Sequence, residues 1–499
     1  MKTFLTSLLL FAITICTAQV KETSLKVTIS NEYKDKVKSK DILSIASLED
    51  GTTGIIRNSK KDLLFDIFDS NLNKVDSKQI ESHRKETYVG DLFYGNEMKL
   101  FTVYAPKKDE RVLYCHTLNL ITKKHTKQEL FKATVDKKQS LFGSRKNHNT
   151  NFSLSPNQEY FTIATDNVTK KKNSYTVYVF NAKTLELVFS KKYQESEEKY
   201  YTHNSLFVDN KGIVYSLGKS YKKGRSKKKL NGDANYRFVL NKISKNSTED
   251  LIIELGDNHI KTLTISSGLD NINLVGFYSE KNTNRIKGGC TFSVNKNTLS
   301  LENTNKQVLP KAVFEDLYRK KAAERKNKKN KELSNFYIDY VITDTDNSTY
   351  VIAEEFYITT NYVSTGVNTG YYQNVYHYDD ILILKFTPEG KISWGRSIFK
   401  KDNVPSYNVF LKDNKLHLIF NSGKRLTEKK DGRVKASKGF LESTSLFDFE
   451  YSSNGEVLNT KIQDNKGNTT FIPFYGNFNT GKFIMSSTGR RKKVFMMLE

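Results

Sequence analysis

The side chains able to do chemistry are few and widely spaced. His116, His203, His377 and His417 fall far apart, and no pair has the HExxH spacing that holds zinc on one helix face. There is no CxxC pair and no GxSxG elbow, so thiol-redox and hydrolase chemistries have no linear signature. Asp344, Asp346, Ser348 and Glu355 match positions one, three, five and twelve of a calcium loop. Thr349 stands where that loop needs glycine, however, and DTDNST reads equally well as a hairpin turn with Glu355 in the next strand. The sequence therefore names no metal, cofactor or catalytic residue. The four histidines belong to different repeats; two or three could meet at a common centre, but separate histidines, each satisfied locally, are the preferred reading.

What the chain supplies in quantity is positive charge and tyrosine. Its formal net charge is +25, and 28 Tyr and 31 Phe provide nearly all of a 12% aromatic content. The cations are clustered. Lys222, Lys223, Arg225, Lys227, Lys228 and Lys229 share one segment, and Lys320, Lys321 and Arg325 share a second. Lys424 with Arg425, and Arg490 with Arg491, form two more. Segment 358–378 is the reverse: it carries Tyr362, Tyr371, Tyr372, Tyr376, His377 and Tyr378 but no Lys or Arg. Clustered cations attract anionic partners, and tyrosine rings stack on sugars or bases and anchor protein interfaces.

The first residues, MKTFLTSLLLFAITICTAQV, combine an early lysine, a short apolar stretch and the small residue Ala18. This is a secretory signal pattern with cleavage expected near residue 18, and its apolar core is too short to span a bilayer. Ile15 before Cys16 does not suit a lipoprotein signal. No later stretch is long and apolar enough to cross a membrane. Cys115 and Cys290, both inside strand-like runs, are too few to form a disulfide framework and read as buried thiols.

A length of 499 residues allows two to four ordinary domains or one repeat-built domain. Two kinds of hairpin alternate along it. Eight copies of the first include DLFYGNEMKLFTVYA from Asp91 and NVFLKDNKLHLIFNS from Asn408. Seven complete copies of the second include the run from Ile381 to Phe399, and an eighth starts near Lys493 and breaks off. Its missing strand is found at the other terminus, in SLKVTISNEY from Ser24. Four strands every 45–65 residues or so are the mark of propeller blades. The expected fold is all-β: one propeller over 19–499 with eight four-stranded blades, seven being the alternative, closed by the N-terminal strand. Insertions are expected at 219–235, 310–335, 358–378 and 423–444, with a helix near 310–333 carrying Val313, Phe314, Leu317 and Tyr318 on one stripe.

The chain resembles exported β-propeller proteins of Gram-negative envelopes, at the level of architecture. Blade-end WD dipeptides and sialidase Asp-boxes are absent, and the single tryptophan, Trp394, excludes the repeated tryptophan motifs of quinoprotein dehydrogenases. Blade strands are labelled a to d in chain order. The b–c links are basic in seven of eight blades, whereas the a–b turns on the opposite face are neutral or acidic. The expectation is a non-enzymatic binding or scaffold module whose basic face meets an envelope protein, an anionic glycan or lipopolysaccharide. A glycan-binding or glycan-active propeller using the Tyr-rich segment near the central channel is the alternative. Nucleic acid suits the charge but sits poorly with export. The C-terminus falls inside a blade strand, which favours the periplasm or outer-membrane association over the cell exterior.

Overall fold

The computed structural model describes residues 23–499 apart from 60, 84–85, 108, 135–151, 169–172, 195–199, 222–228, 231–232, 268–269, 281–284, 330, 367–368, 431–432 and 438–441. The signal sequence read over 1–18 lies outside the described residues.

Eight antiparallel sheets of four principal strands form an eight-bladed β-propeller. Blade one runs from Ser39–Ser47 to Lys74–Glu81, blade two from Thr87–Tyr94 to His125–Thr134, and blade three from Phe152–Leu154 to Leu187–Gln194. Blades four and five run from Tyr200–Val208 to Thr248–Ile253 and from His259–Ser267 to Leu301–Val308. Blades six and seven run from Phe336–Thr343 to Ile392–Lys401 and from Tyr407–Lys412 to Val457–Asp464. Blade eight takes three strands from the C-terminus (Asn477–Asn479, Lys482–Ser486, Phe495–Leu498) and its fourth, Val27–Ile29, from the N-terminus. Val27, Thr28 and Ile29 pair with Leu498, Met497 and Met496, as the complementary termini predict.

Period-two alternation explains the packing. One face of blade seven presents Leu416, Leu418, Phe420, Phe447 and Phe449 to blade six. The other presents Phe410, Ile419 and Leu446 to Phe483, Met485, Met496 and Leu498 of blade eight. Each interface is a layer of buried side chains from two sheets, and the ring leaves no blade without a neighbour.

The insertion near 310–333 is helical but broken. α1 (Lys311–Leu317) buries Val313, Phe314 and Leu317 in the blade five–six core, each such side chain contributing about 1.5–3 kcal/mol. Tyr318 turns extended, and α2 (Lys320–Lys328) buries Ala323 and exposes Lys320, Lys321, Arg325 and Lys328. Asp316 of α1 accepts two hydrogen bonds from Arg396 of blade six, at 2.8 and 3.0 Å, which fixes the helix on the outer strand.

Two insertions differ from expectation. Segment 358–378 is not a loop: strands b and c of blade six, Thr349–Gly366 and Thr369–Phe386, continue pairing beyond the sheet to Gly366↔Thr369. From Phe356 onward they form an arm extending about 35 Å at the usual strand rise. Within 423–444, Val434–Ser437 pairs in parallel with strand d of blade six, Phe399 lying opposite Lys435. A link of blade seven thereby covers the edge of blade six.

Candidate functional site

The expected basic residues fall into two groups. Lys222, Lys223, Arg225, Lys227 and Lys228 lie outside the described residues, and Lys229 begins a two-residue strand paired with Ala234. The others stand on the face of the b–c and d–a links: Lys320, Lys321, Arg325, Lys424, Arg425, Arg490 and Arg491 are all exposed. α2 crowds its cations. Burial, with Arg325, Lys331 and Arg285 close by, pushes the Lys326 ammonium below its ordinary pKa. Lys493 departs from the pattern, since it is buried and donates to the Ser487 carbonyl at 2.9 Å.

Pairing along the arm assigns its faces. Phe356 lies opposite Tyr378 and Ile358 opposite Tyr376 on one face, and the backbone register continues to Tyr362 opposite Tyr372. Phe356 packs 4.9 Å from Tyr378 and 6.3 Å from Tyr337, while Tyr337, Ile358 and Tyr376 are each about half exposed. On the other face His377 stacks on Tyr357 at 4.4 Å and shares a hydrogen bond with Thr359 (2.8 Å). The root of the arm is acidic. Burial and the nearby Asp379 raise Glu355 to about 7, and burial with Glu355 raises Asp380 to about 8. Glu355 therefore sits in strand b opposite Phe336, far from a turn in which Asp346 accepts the Ser348 amide at 2.8 Å. The calcium spacing is a coincidence of hairpin geometry.

The ring encloses a central cavity of about 830 Å³, lined from blades one, two, three, six, seven and eight. Its wall mixes aromatic rings (Tyr88, Phe152, Tyr340, Tyr407, Phe410, Phe478) with Asp41, Glu86, Asp91, Asp339, Asp344 and Asp413, against one lysine, Lys412. Bulges on the inner strands help to shape it. The a–b register slips between Ile42 and Ser44, Tyr88 and Gly90, and Ile338 and Tyr340, and the skipped residues Leu43, Val89 and Asp339 all line the cavity. Carboxylates bridge adjacent blades. Asp91 accepts from Ser44 at 2.7 Å and from Tyr88, and Asp339 accepts from Tyr407 at 2.8 Å. Burial raises Asp91, and Tyr88 and Ser44 offset only part of that rise.

The histidines do not converge on this channel; each is satisfied locally, as the preferred reading has it. His203 bonds Ser216 at 2.9 Å, and His417 bonds Asp448 at 2.9 Å. His116 joins Glu86 (2.9 Å) to His125 (3.3 Å). Burial would raise Glu86, but hydrogen bonds from His116 and Thr102 hold it at about 2, and burial lowers His125 to about 4. That relay runs from the channel wall into the blade one–two interface, where Phe65 packs 5.1 Å from His125. Cys115 and Cys290 are free and buried on different blades. Burial pushes Cys115 to about 11 and Cys290 higher still, so neither is a nucleophile. Sequence reading missed the acidic channel, because its residues come one or two per blade. Recurrent Asp, Asn and Tyr at inner-strand positions were the only signal.

No protein-family model matches the chain, and no curated protein matches it. Solved structures do. The Dos1 propeller covers 94% of this chain and 94% of its own at 11% identity and TM-score 0.42. The β-propeller domain of the Trilobed protease from Pyrococcus furiosus covers 87% and 97% at 8% identity and 0.39. The WD40 domain of SCAP from fission yeast covers 95% and 94% at 8% identity and 0.41. At these identities and TM-scores the propeller assignment rests on the chain's own sheet topology.

Proposed function

We propose that the chain is a cell-envelope binding or scaffold propeller that engages an anionic partner through its basic link face, with the blade-six arm as the aromatic contact. The observation that supports this reading is contiguity. The Lys326 ammonium of α2 lies 4.2 Å over the Tyr318 ring, and Tyr318 is raised to about 12 by burial and by Asp380 and Glu355 at the root of the arm. A cationic helix thus adjoins an apolar strip in which Tyr337, Ile358 and Tyr376 are half exposed and Phe356 is part-buried. Such a surface suits a partner bearing negative charge beside planar or apolar groups, such as an acidic envelope protein or a phosphorylated glycan. Export by the signal sequence would bring it to the periplasm or outer membrane. No helix among the described residues is long and apolar enough to cross a bilayer.

The test is capture from the native envelope at low and high salt by wild type and by Lys320→Gln/Lys321→Gln/Arg325→Gln/Lys424→Gln/Arg425→Gln. The variant should bind more weakly and with a flatter salt dependence. Capture unchanged by neutralisation at both salt levels would end this reading.

A second reading has its own observation. A cavity of about 830 Å³ walled by rings and carboxylates has the size and chemistry of a pocket for a polyhydroxylated ligand. Loss of oligosaccharide binding in Tyr340→Ala or Phe478→Ala, with the neutralised rim unaffected, would favour it. Absence of binding to the wild type would remove it.

A further inference from the structure

Where blade seven faces blade eight, three ligand-bearing side chains stand together on one sheet surface. His417 is on strand b, Lys415–Gly423, directly opposite Glu450 on strand c, Thr444–Tyr451, and Asp448 lies two residues before Glu450 on the same face. One ligand atom from each lies within 4.8 Å of the other two. All three are buried, Asp448 completely. The Phe410 ring stacks on the imidazole at 5.2 Å, which fixes its orientation.

The start of the described chain closes over this group. The Thr23 hydroxyl donates to Asp448 at 3.2 Å, and the Ser24 hydroxyl donates to Glu450. Leu25 then buries among Phe410, Ile419 and Leu446 before Val27 enters blade eight. Two observations go beyond an ordinary histidine–aspartate pair. The second carboxylate oxygen of Asp448, Oδ1, is buried without a hydrogen-bond donor among the described residues. Two hydroxyl oxygens also reach the carboxylates of this group, one on Asp448 and one on Glu450. Among the described residues the cation that reaches this group is Lys415, 2.7 Å from Glu450 on a side chain about two-fifths exposed, so it can swing away.

We propose that His417, Asp448 and Glu450, closed over by Thr23 and Ser24, form a divalent-cation site that clasps the N-terminal segment onto blades seven and eight. One nitrogen and two or more oxygens suit zinc or a similar first-row ion. Bonds of about 2.0–2.2 Å would require small closing movements of the carboxylates. The competing occupant is a proton on His417, which would pair with Asp448 but would leave Asp448 Oδ1 without a partner.

The experiment uses the full exported chain, stripped with chelator and titrated with Zn²⁺ by calorimetry. A parallel Co²⁺ titration follows visible d–d absorption, which needs no variant. The proposal expects one ion per chain and slower tryptic cleavage after Lys26 when Zn²⁺ is present. His417→Gln should weaken Zn²⁺ binding at least tenfold, and Ser24→Ala should weaken it less. If His417→Gln does not fold, Glu450→Gln, which keeps its shape and an acceptor oxygen, takes its place. Failure of the wild type to bind Zn²⁺ stoichiometrically would overturn the proposal. So would undiminished binding in the folded variant, which would place the ion elsewhere.

Discussion

Val27 lies directly opposite Leu498, so residues near the two ends of the chain share one antiparallel ladder. Lys26 and Glu499 exchange both backbone hydrogen bonds, at 2.7 and 3.0 Å, which makes Val27–Leu498 the adjacent non-hydrogen-bonded pair. Such pairs bring Cα atoms to about 4.5 Å, within disulfide range. Val27→Cys/Leu498→Cys should therefore oxidise spontaneously and stabilise the ring by about 3 kcal/mol. Thermal melts should show a raised Tm that reductant abolishes. A rise that survives reduction would contradict the closure.

Blade one depends on a buried cation. Arg57 is fully buried and binds Asp35 at 2.5 and 3.0 Å and Asp66 at 3.0 Å through Nε, while Lys74 reaches Asp66 at 3.1 Å. Removing the guanidinium strands two buried carboxylates. Arg57→Ala should cost about 3–5 kcal/mol in denaturant melts. Burial would raise Asp66, but Arg57 and Lys74 outweigh it and hold the carboxyl below its usual value. A depressed carboxyl stabilises the fold above its unfolded pKa, and that contribution is lost as pH falls below about 4. The wild type should lose stability in that window, and Asp66→Asn should lose less.

The root of the arm has the opposite dependence. Glu355 and Asp380 are raised to about 7 and about 8 in the fold, from ordinary values of 4.5 and 3.8. The folded chain thus holds protons that the unfolded chain has already released. Stability must fall as pH rises from about 4 to about 8 and level off above, the two groups titrating as a coupled pair. Hydrogen exchange of the arm amides should be slower at pH 5 than at pH 8.5, after correction for intrinsic rates. Asp380→Asn, which can still accept the Lys400 amide at 3.1 Å, should flatten the difference. An unchanged profile in that variant would assign the dependence to other groups.

Much of the architecture is legible in the sequence because each blade half is a hairpin with one buried face. The unfinished hairpin at Lys493 and the spare strand from Ser24 even show how the ring closes. The arm escapes such reading because, over Phe356–Thr360 and Gln373–Tyr378, no side chain of either face is fully buried. Without a core side, Ile358–Tyr362 and Tyr372–Tyr378 show no period-two apolar pattern. The helix is foreseen from Val313, Phe314 and Leu317, but its break at Tyr318 is not, since the stripe continues through that ring. The clusters around His116 and His417 are invisible for another reason. Their carboxylate partners lie 30 or more residues away, and only the packing of the strands decides whether they meet.

The parallel contact between Phe399 and Lys435 has a mechanical consequence. Neighbouring propeller blades ordinarily touch only through side chains and slide or part along that seam. Here main-chain hydrogen bonds run from blade six into a segment that belongs to blade seven. A load applied to the arm of blade six is therefore carried into the backbone of its neighbour. The arm stands on a foundation two blades wide, and what pulls on it must strain both.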